Sequence, residues 1–177
     1  MGLGCAIIDG EGFQITAEQV AEIINCVRPR VVGFGIVTPA ISSVQNILRH
    51  LSAPLPLLIA GGIHPTALPY HTADSLPEMN LIVRGEAEEI WKELCLHHFN
   101  ISQTAETRNV GIFEAETYKN AWVFSANRAP TGDSIPRLDH SHFSKYEFFA
   151  NHADFEFTVL GSRGCNFRCG FCAASAF

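Results

Sequence analysis

Cys165, Cys169 and Cys172 stand in the run Gly164-Cys-Asn-Phe-Arg-Cys-Gly-Phe-Cys172, a Cys-x3-Cys-x2-Cys spacing. Thiolates this close together on one loop can hold three corners of an iron–sulfur cubane, a group that ordinarily takes four cysteines. Three ligands leave one iron open to a further molecule, and chemistry is expected at that iron. Two other readings of the same thiols stand beside this one. Three cysteines can bind zinc with a histidine as fourth ligand, although no histidine follows Cys172 and the nearest upstream is His152. A disulfide with one free thiol is the other, and nothing in the sequence points to an oxidising compartment.

The loop must be carried by something. Phe155-Glu-Phe-Thr-Val-Leu160 reads as a short buried strand, and Gly161-Ser-Arg-Gly164 as the turn leaving it. With an aromatic residue, Phe171, directly before the third cysteine, the run resembles the cluster-binding signature of the radical S-adenosylmethionine (radical SAM) superfamily. The resemblance implies a [4Fe–4S] cluster held by Cys165, Cys169 and Cys172 after the first strand of a barrel. It implies S-adenosylmethionine on the open iron through its amino and carboxylate groups, with Phe171 lining the adenine side. It further implies an electron donor such as flavodoxin or ferredoxin, reductive cleavage to a 5′-deoxyadenosyl radical, and hydrogen abstraction from a small-molecule substrate. Arg168 lies within the loop and either tunes the charge at the cluster or is simply exposed.

Composition narrows the setting. The 177 residues suffice for one ordinary domain with an appendage, and 47% hydrophobic residues support a core. A formal net charge of −6 argues against a large, general nucleic-acid surface. No apolar run approaches the length of about 18 residues that a membrane span needs. Met1-Gly-Leu-Gly4 lacks the charged and apolar regions of a signal peptide, so a cytoplasmic location is expected. Cys5, Cys26 and Cys95 are scattered among apolar residues and read as small core hydrophobes.

Between residues 5 and 99, short apolar runs alternate with amphipathic ones. Cys5-Ala-Ile-Ile-Asp9 reads as a strand. Thr16, with Gln19 three positions on, reads as the capping box of a helix that buries Val20, Ile23, Ile24 and Val27. Val31-Val-Gly-Phe-Gly-Ile36 is continuously apolar, as expected of a parallel strand covered on both faces. Ile41, Val44, Ile47, Leu48 and Leu51 form a second helical stripe, followed by strands at Leu55–Ala60 and Leu81–Val83. Ile90, Trp91, Leu94, Cys95 and His98 mark a last helix face. This alternation predicts an α/β, Rossmann-like, mainly parallel sheet with ligands beyond the carboxyl ends of its strands. Those ends carry Thr38-Pro39, Gly61-Gly-Ile-His-Pro-Thr66 and Gly85-Glu-Ala-Glu88.

Taken in this order, Val31–Thr38, Ala60–Thr66 and Val83–Glu88 resemble the cobalamin-binding domain that precedes many radical SAM enzymes. The resemblance implies that Thr38, Gly61, Gly62 and Gly85 contact a corrin or its nucleotide tail; ordinary turn chemistry is the alternative for each. The Asp-x-His-x-x-Gly run that supplies an axial histidine in some cobalamin proteins is absent, and His64 reads as a loop-stabilising residue. No Gly-x-Gly-x-x-Gly or Walker run follows a strand, so nucleotide triphosphate or dinucleotide binding is not indicated.

The expected organisation is a cobalamin-binding-like domain over 1–100, a linker with a small β pair over 101–153, and the start of a radical SAM domain over 154–177. The β pair is expected at Gly111–Phe113 and Ala121–Phe124, and Phe143, Tyr146 and Phe149 as a packed aromatic turn. Relative to the families it resembles, the chain reads as a fragment without the first strand–helix unit and without most of the barrel. It is expected to release little 5′-deoxyadenosine by itself. A corrinoid-binding module without catalysis and a zinc-binding interaction protein are the alternative functions.

Overall fold

A computed structural model describes residues 4–88, 90, 91, 113–126, 167, 169 and 170. The chain divides into two units, Met1–Arg128 and Ala129–Phe177. In the first, α1 (Ala17–Val27) leads to β1 (Val31–Gly35), a 3-10 turn (Thr38–Ala40) and α2 (Ile41–Arg49). Then come β2 (Leu57–Gly61), two short helices, α3 (Ile63–Ala67) and α4 (Pro69–Ser75), and β3 (Leu81–Arg84). A hairpin of β4 (Phe113–Tyr118) and β5 (Ala121–Ala126) completes the sheet.

The sheet has five strands in the order β1-β2-β3-β5-β4. β1, β2, β3 and β5 run parallel, and β4 is antiparallel to β5. This is the predicted α/β, mostly parallel, Rossmann-like sheet. The hairpin joins it directly, since Leu81–Arg84 pair with Trp122–Ser125.

Period-two alternation explains why both faces are covered. Leu58, Ala60, Ile82, Ala121 and Val123 point to one face, where α2 and α4 supply Val44, Leu48 and Ala73, with Leu76 directly after α4. Ile59, Leu81 and Val83 point to the other, against Ile90 with Trp91 beside it. A Cβ placed on Gly33 would lie 2.8 Å from the Trp91 ring, so the glycine makes room for the indole. We expect Gly33→Ala to cost about 1–3 kcal/mol by overpacking, measured as a lower midpoint in urea unfolding. An unchanged midpoint would mean that the indole relocates freely.

Several expectations are corrected. Cys5–Asp9 is not a strand but irregular chain, with Ile7 67% exposed and Cys5 exposed. The physical reason is that no described strand lies beside it to complete a ladder. Cys26 is likewise exposed on α1 rather than in the core, while Cys95 lies outside the described residues. The capping box at Thr16 and Gln19 forms as expected. The buried stripe of α1, however, is Ala21 and Ile24, while Ile23 and Val27 face outward. That helix packs against Ile47 of α2, with Val32 and Phe34 of β1 in the same cluster, so only one side of its apolar surface is used. β1 is the edge strand of the described sheet and is packed on both faces as expected, although Gly33 and Gly35 stay exposed. Its apolar run reflects Val32 and Phe34 packing to one side and Val31 to the other.

Candidate functional site

The carboxyl ends of β1, β2 and β3 converge through the short turn after β2. Gly62 has φ 98° and ψ −168°, a conformation that only glycine adopts readily. A Cβ there would sit 2.9 Å from the Ile36 amide nitrogen and 3.1 Å from its carbonyl oxygen. The two loops touch backbone to backbone: Ile36 N–H donates to Gly61 O at 2.8 Å, and His64 N–H donates to Ile36 O at 3.0 Å. The glycine requirement at 62 therefore comes from this contact. Gly61 differs, because among the described residues a Cβ there meets only the Val83 carbonyl oxygen, at 4.0 Å, and one on Gly35 meets nothing within 4 Å.

Two buried side chains of α3 bind the neighbouring loops. His64, 2% exposed, has Nδ1 3.0 Å from the Thr38 hydroxyl and Nε2 3.2 Å from His71 Nδ1. This is the loop-stabilising role its sequence context suggested. Burial first, and the charge of His71 second, hold the His64 imidazole below its ordinary range, so the neutral ring is favoured. Thr66 donates its hydroxyl to Gly62 O at 2.7 Å and accepts from the Gly85 amide at 3.0 Å. Arg84 donates from Nε to Thr66 O at 3.3 Å and reaches Ser125 Oγ at 3.5 Å. Gly85, at φ 76°, turns the chain out of β3.

The structure thus brings together Thr38, Gly61, Gly62 and Gly85 at one end of the sheet. His71, Arg84 and Ser125 belong to the same network and were not singled out from sequence. His71 and Ser125 lie in segments without a glycine or a motif to draw attention; only the basic residue ending β3 was a signal. Around the network the surface is open and partly apolar: Thr38 is exposed, Val37 is 48% and Ile63 63% exposed. Bare backbone at Gly35 and Gly61, one exposed hydroxyl and apolar side chains make a shallow ledge suited to a broad ligand.

In the second unit, Phe167 is 73% exposed and Cys169 is an exposed free thiol, followed by a turn at Gly170. Cys165, Phe171 and Cys172 lie outside the described residues, as do the expected strand at Phe155–Leu160 and the aromatic turn. Among the described residues there is no group of three or more metal-ligating side chains, and no helix is long and apolar enough to cross a membrane.

No family model and no solved structure matches the chain. Three curated proteins do. An uncharacterized methyltransferase of Pyrococcus horikoshii is 29% identical over 176 residues, which cover 96% of this chain and 37% of that protein. The anaerobic magnesium-protoporphyrin IX monomethyl ester cyclases of Cereibacter sphaeroides and Rubrivivax gelatinosus are 26% and 24% identical, each over 96% of this chain, and over 28% and 31% of their own lengths. The chain therefore spans about a third of the length of the relatives it matches. Homology to this methyltransferase and these cyclases, along almost all of the chain, fits the radical SAM family with a cobalamin-binding-like domain.

Proposed function

We propose that this chain supplies the corrinoid-holding sheet and the cluster loop of a cobalamin-associated radical SAM enzyme. The observation that carries the reading is the strand-end ledge. Its bare backbone at Gly61 and exposed Thr38 lie where a parallel α/β sheet places ligands. Homology to a methyltransferase and to cyclases, each over 96% of the chain, supports an enzyme over a passive module. In this reading Cys165, Cys169 and Cys172 hold a [4Fe–4S] cluster, and Phe171 lies beside S-adenosylmethionine. The chemistry the cluster supplies when bound is one-electron reduction of the sulfonium, which drives hydrogen abstraction from substrate. Methyl transfer and ring formation or rearrangement are both compatible with the names of the relatives.

The residues of the first unit bind and orient. Thr38 offers one hydroxyl to a ligand amide, Val37 and Ile63 offer apolar contact, and Gly61 lets a flat ligand approach the backbone. His64 and Thr66 keep the three loops from separating. Arg84, bonded to Thr66 O and Ser125, fixes the outermost loop.

The test is hydroxocobalamin binding by the chain, followed by its visible absorption after dialysis. Gly61→Val should weaken retention about tenfold, because a branched side chain enters the ledge from a position where a Cβ is only in ordinary contact with the Val83 carbonyl oxygen, at 4.0 Å. Retention equal to that of the unsubstituted chain, or no retention by either, would count against a corrinoid at this end of the sheet.

A further inference from the structure

The histidine pair beneath the ledge links it to solvent. His64 is buried on α3, whereas His71 is exposed on α4. Their facing nitrogens, His64 Nε2 and His71 Nδ1, are 3.2 Å apart, and the rings meet edge to face with centroids 5.2 Å apart. The other nitrogen of His64 is committed to Thr38 at 3.0 Å, so neither ring nitrogen of the buried histidine is free.

A neutral imidazole donates from one nitrogen and accepts at the other. The sense of each bond in the row is therefore tied to the next. When His71 Nδ1 carries a lone pair, His64 donates from Nε2 and accepts the Thr38 hydroxyl proton at Nδ1. Thr38 then turns only lone pairs toward the ledge. When His71 is protonated, its Nδ1–H donates to His64 Nε2, and His64 carries its own proton on Nδ1, donating to Thr38 Oγ1. The Thr38 hydroxyl proton is then released to face outward. The change takes up one proton overall, and the buried ring stays neutral in both states. Protonating both rings would set two N–H groups against each other across 3.2 Å.

We propose that His71 and His64 form a relay in which protonation of the exposed histidine sets the tautomer of the buried one, and thereby whether Thr38 acts as acceptor or donor at the ledge. His64 is in this sense a positioning residue. The consequence for a bound corrinoid rests on the function proposed above; the relay itself does not.

Among the described titratable groups around the pair, Asp74 of α4 is the one whose carboxylate interacts with the charge of His71. β1, β2 and the 3-10 turn carry no titratable side chain, and α2 carries only Arg49, in its last turn. On α4, Asp74 is ion-paired with Lys119 from the β4–β5 turn, and Tyr70 donates to Glu116 of β4 at 2.7 Å. Arg84 at the end of β3 is bonded to Thr66 O and Ser125. Ser75 Oγ lies 3.5 Å from His71 Nδ1 and can serve either state. Burial disfavours a proton on His64 itself, whereas His71 is open to solvent.

The test reads the imidazole nitrogens of the full chain by long-range nitrogen–proton NMR between about pH 8 and pH 5, the range in which histidine changes charge. His64 should pass from the Nε2–H to the Nδ1–H tautomer as His71 becomes protonated. In His71→Ala, an exposed substitution, His64 should keep one tautomer throughout. In parallel, hydroxocobalamin affinity should change about fivefold across the same range, about the worth of one hydrogen bond, and stay flat in His71→Ala and Thr38→Val. A His64 tautomer that never changes, or that changes equally in His71→Ala, overturns the relay. A tautomer change with pH-independent affinity overturns its effect at the ledge. A tautomer change with no hydroxocobalamin bound at any pH leaves the relay standing and sinks the corrinoid reading instead.

Discussion

Cys169→Ala is expected to abolish the iron–sulfur chromophore completely. Anaerobic reconstitution of the chain with iron and sulfide should give a brown protein with the broad visible absorption and reduced-state paramagnetism of a [4Fe–4S] cluster. Cys165→Ala and Cys172→Ala should lose both signals equally. The effect is all-or-none because a three-cysteine site has no spare ligand; removing one thiolate leaves two irons without protein ligands. Cys5→Ser and Cys26→Ser should leave the chromophore intact. This control matters, since Cys5, Cys26 and Cys169 are all exposed and free, and exposure alone does not distinguish them. What distinguishes Cys169 is its two cysteine neighbours within the run 165–172. Stoichiometric zinc with no cluster under reducing conditions would replace the iron–sulfur reading with the zinc one.

How much of this was legible in sequence depends on whether a residue's role is local. The strands at Val31, Leu57 and Leu81 and the stripe of α2 were legible, because continuous apolar runs and a 3.6-residue period report burial directly. The capping box of α1 was legible because its two partners sit three residues apart. Cys5–Asp9 was misread because an apolar run becomes a strand only when a neighbour pairs with it, and pairing is a non-local fact. Ile23 and Val27 share the apolar period of α1, yet which half of that surface is covered is decided by α2. The same limit applies to the ledge. Thr38 and the glycines stood out by position, whereas the bonds from His64 to Thr38 and to His71 join residues 26 and 7 positions apart. Thr66 stood out as the end of the run after β2; that it joins Gly62 to Gly85 could be seen only once β2 and β3 were adjacent.

Gly62→Val is expected to destabilise the first unit by about 3 kcal/mol, combining a backbone conformation foreign to branched residues with an overpacked contact. Both contributions follow from one geometric fact. At φ 98° and ψ −168° the new Cβ would point at the Ile36 amide, 2.9 Å away, and Gly35 C lies 3.5 Å from it. These are backbone atoms at the end of a strand, so no side-chain rotation can relieve the contact. To accommodate it, the turn must pull away from β1, stretching the bonds from Ile36 to Gly61 and from His64 to Ile36. Movement of His64 would in turn loosen Thr38. Thermal and urea unfolding of Gly62→Val, compared with Gly61→Val, isolates this effect. Among the described residues a Cβ at Gly61 has only the Val83 carbonyl near it, at 4.0 Å, so that variant should change stability by about 0.5 kcal/mol or less. The two adjacent glycines then separate two roles: Gly62 acts through the fold, and Gly61 acts on the ligand. Equal stability losses in both variants would mean that the backbone contact with Ile36 sets no requirement peculiar to position 62, and that the glycine pair serves the ledge as a single element.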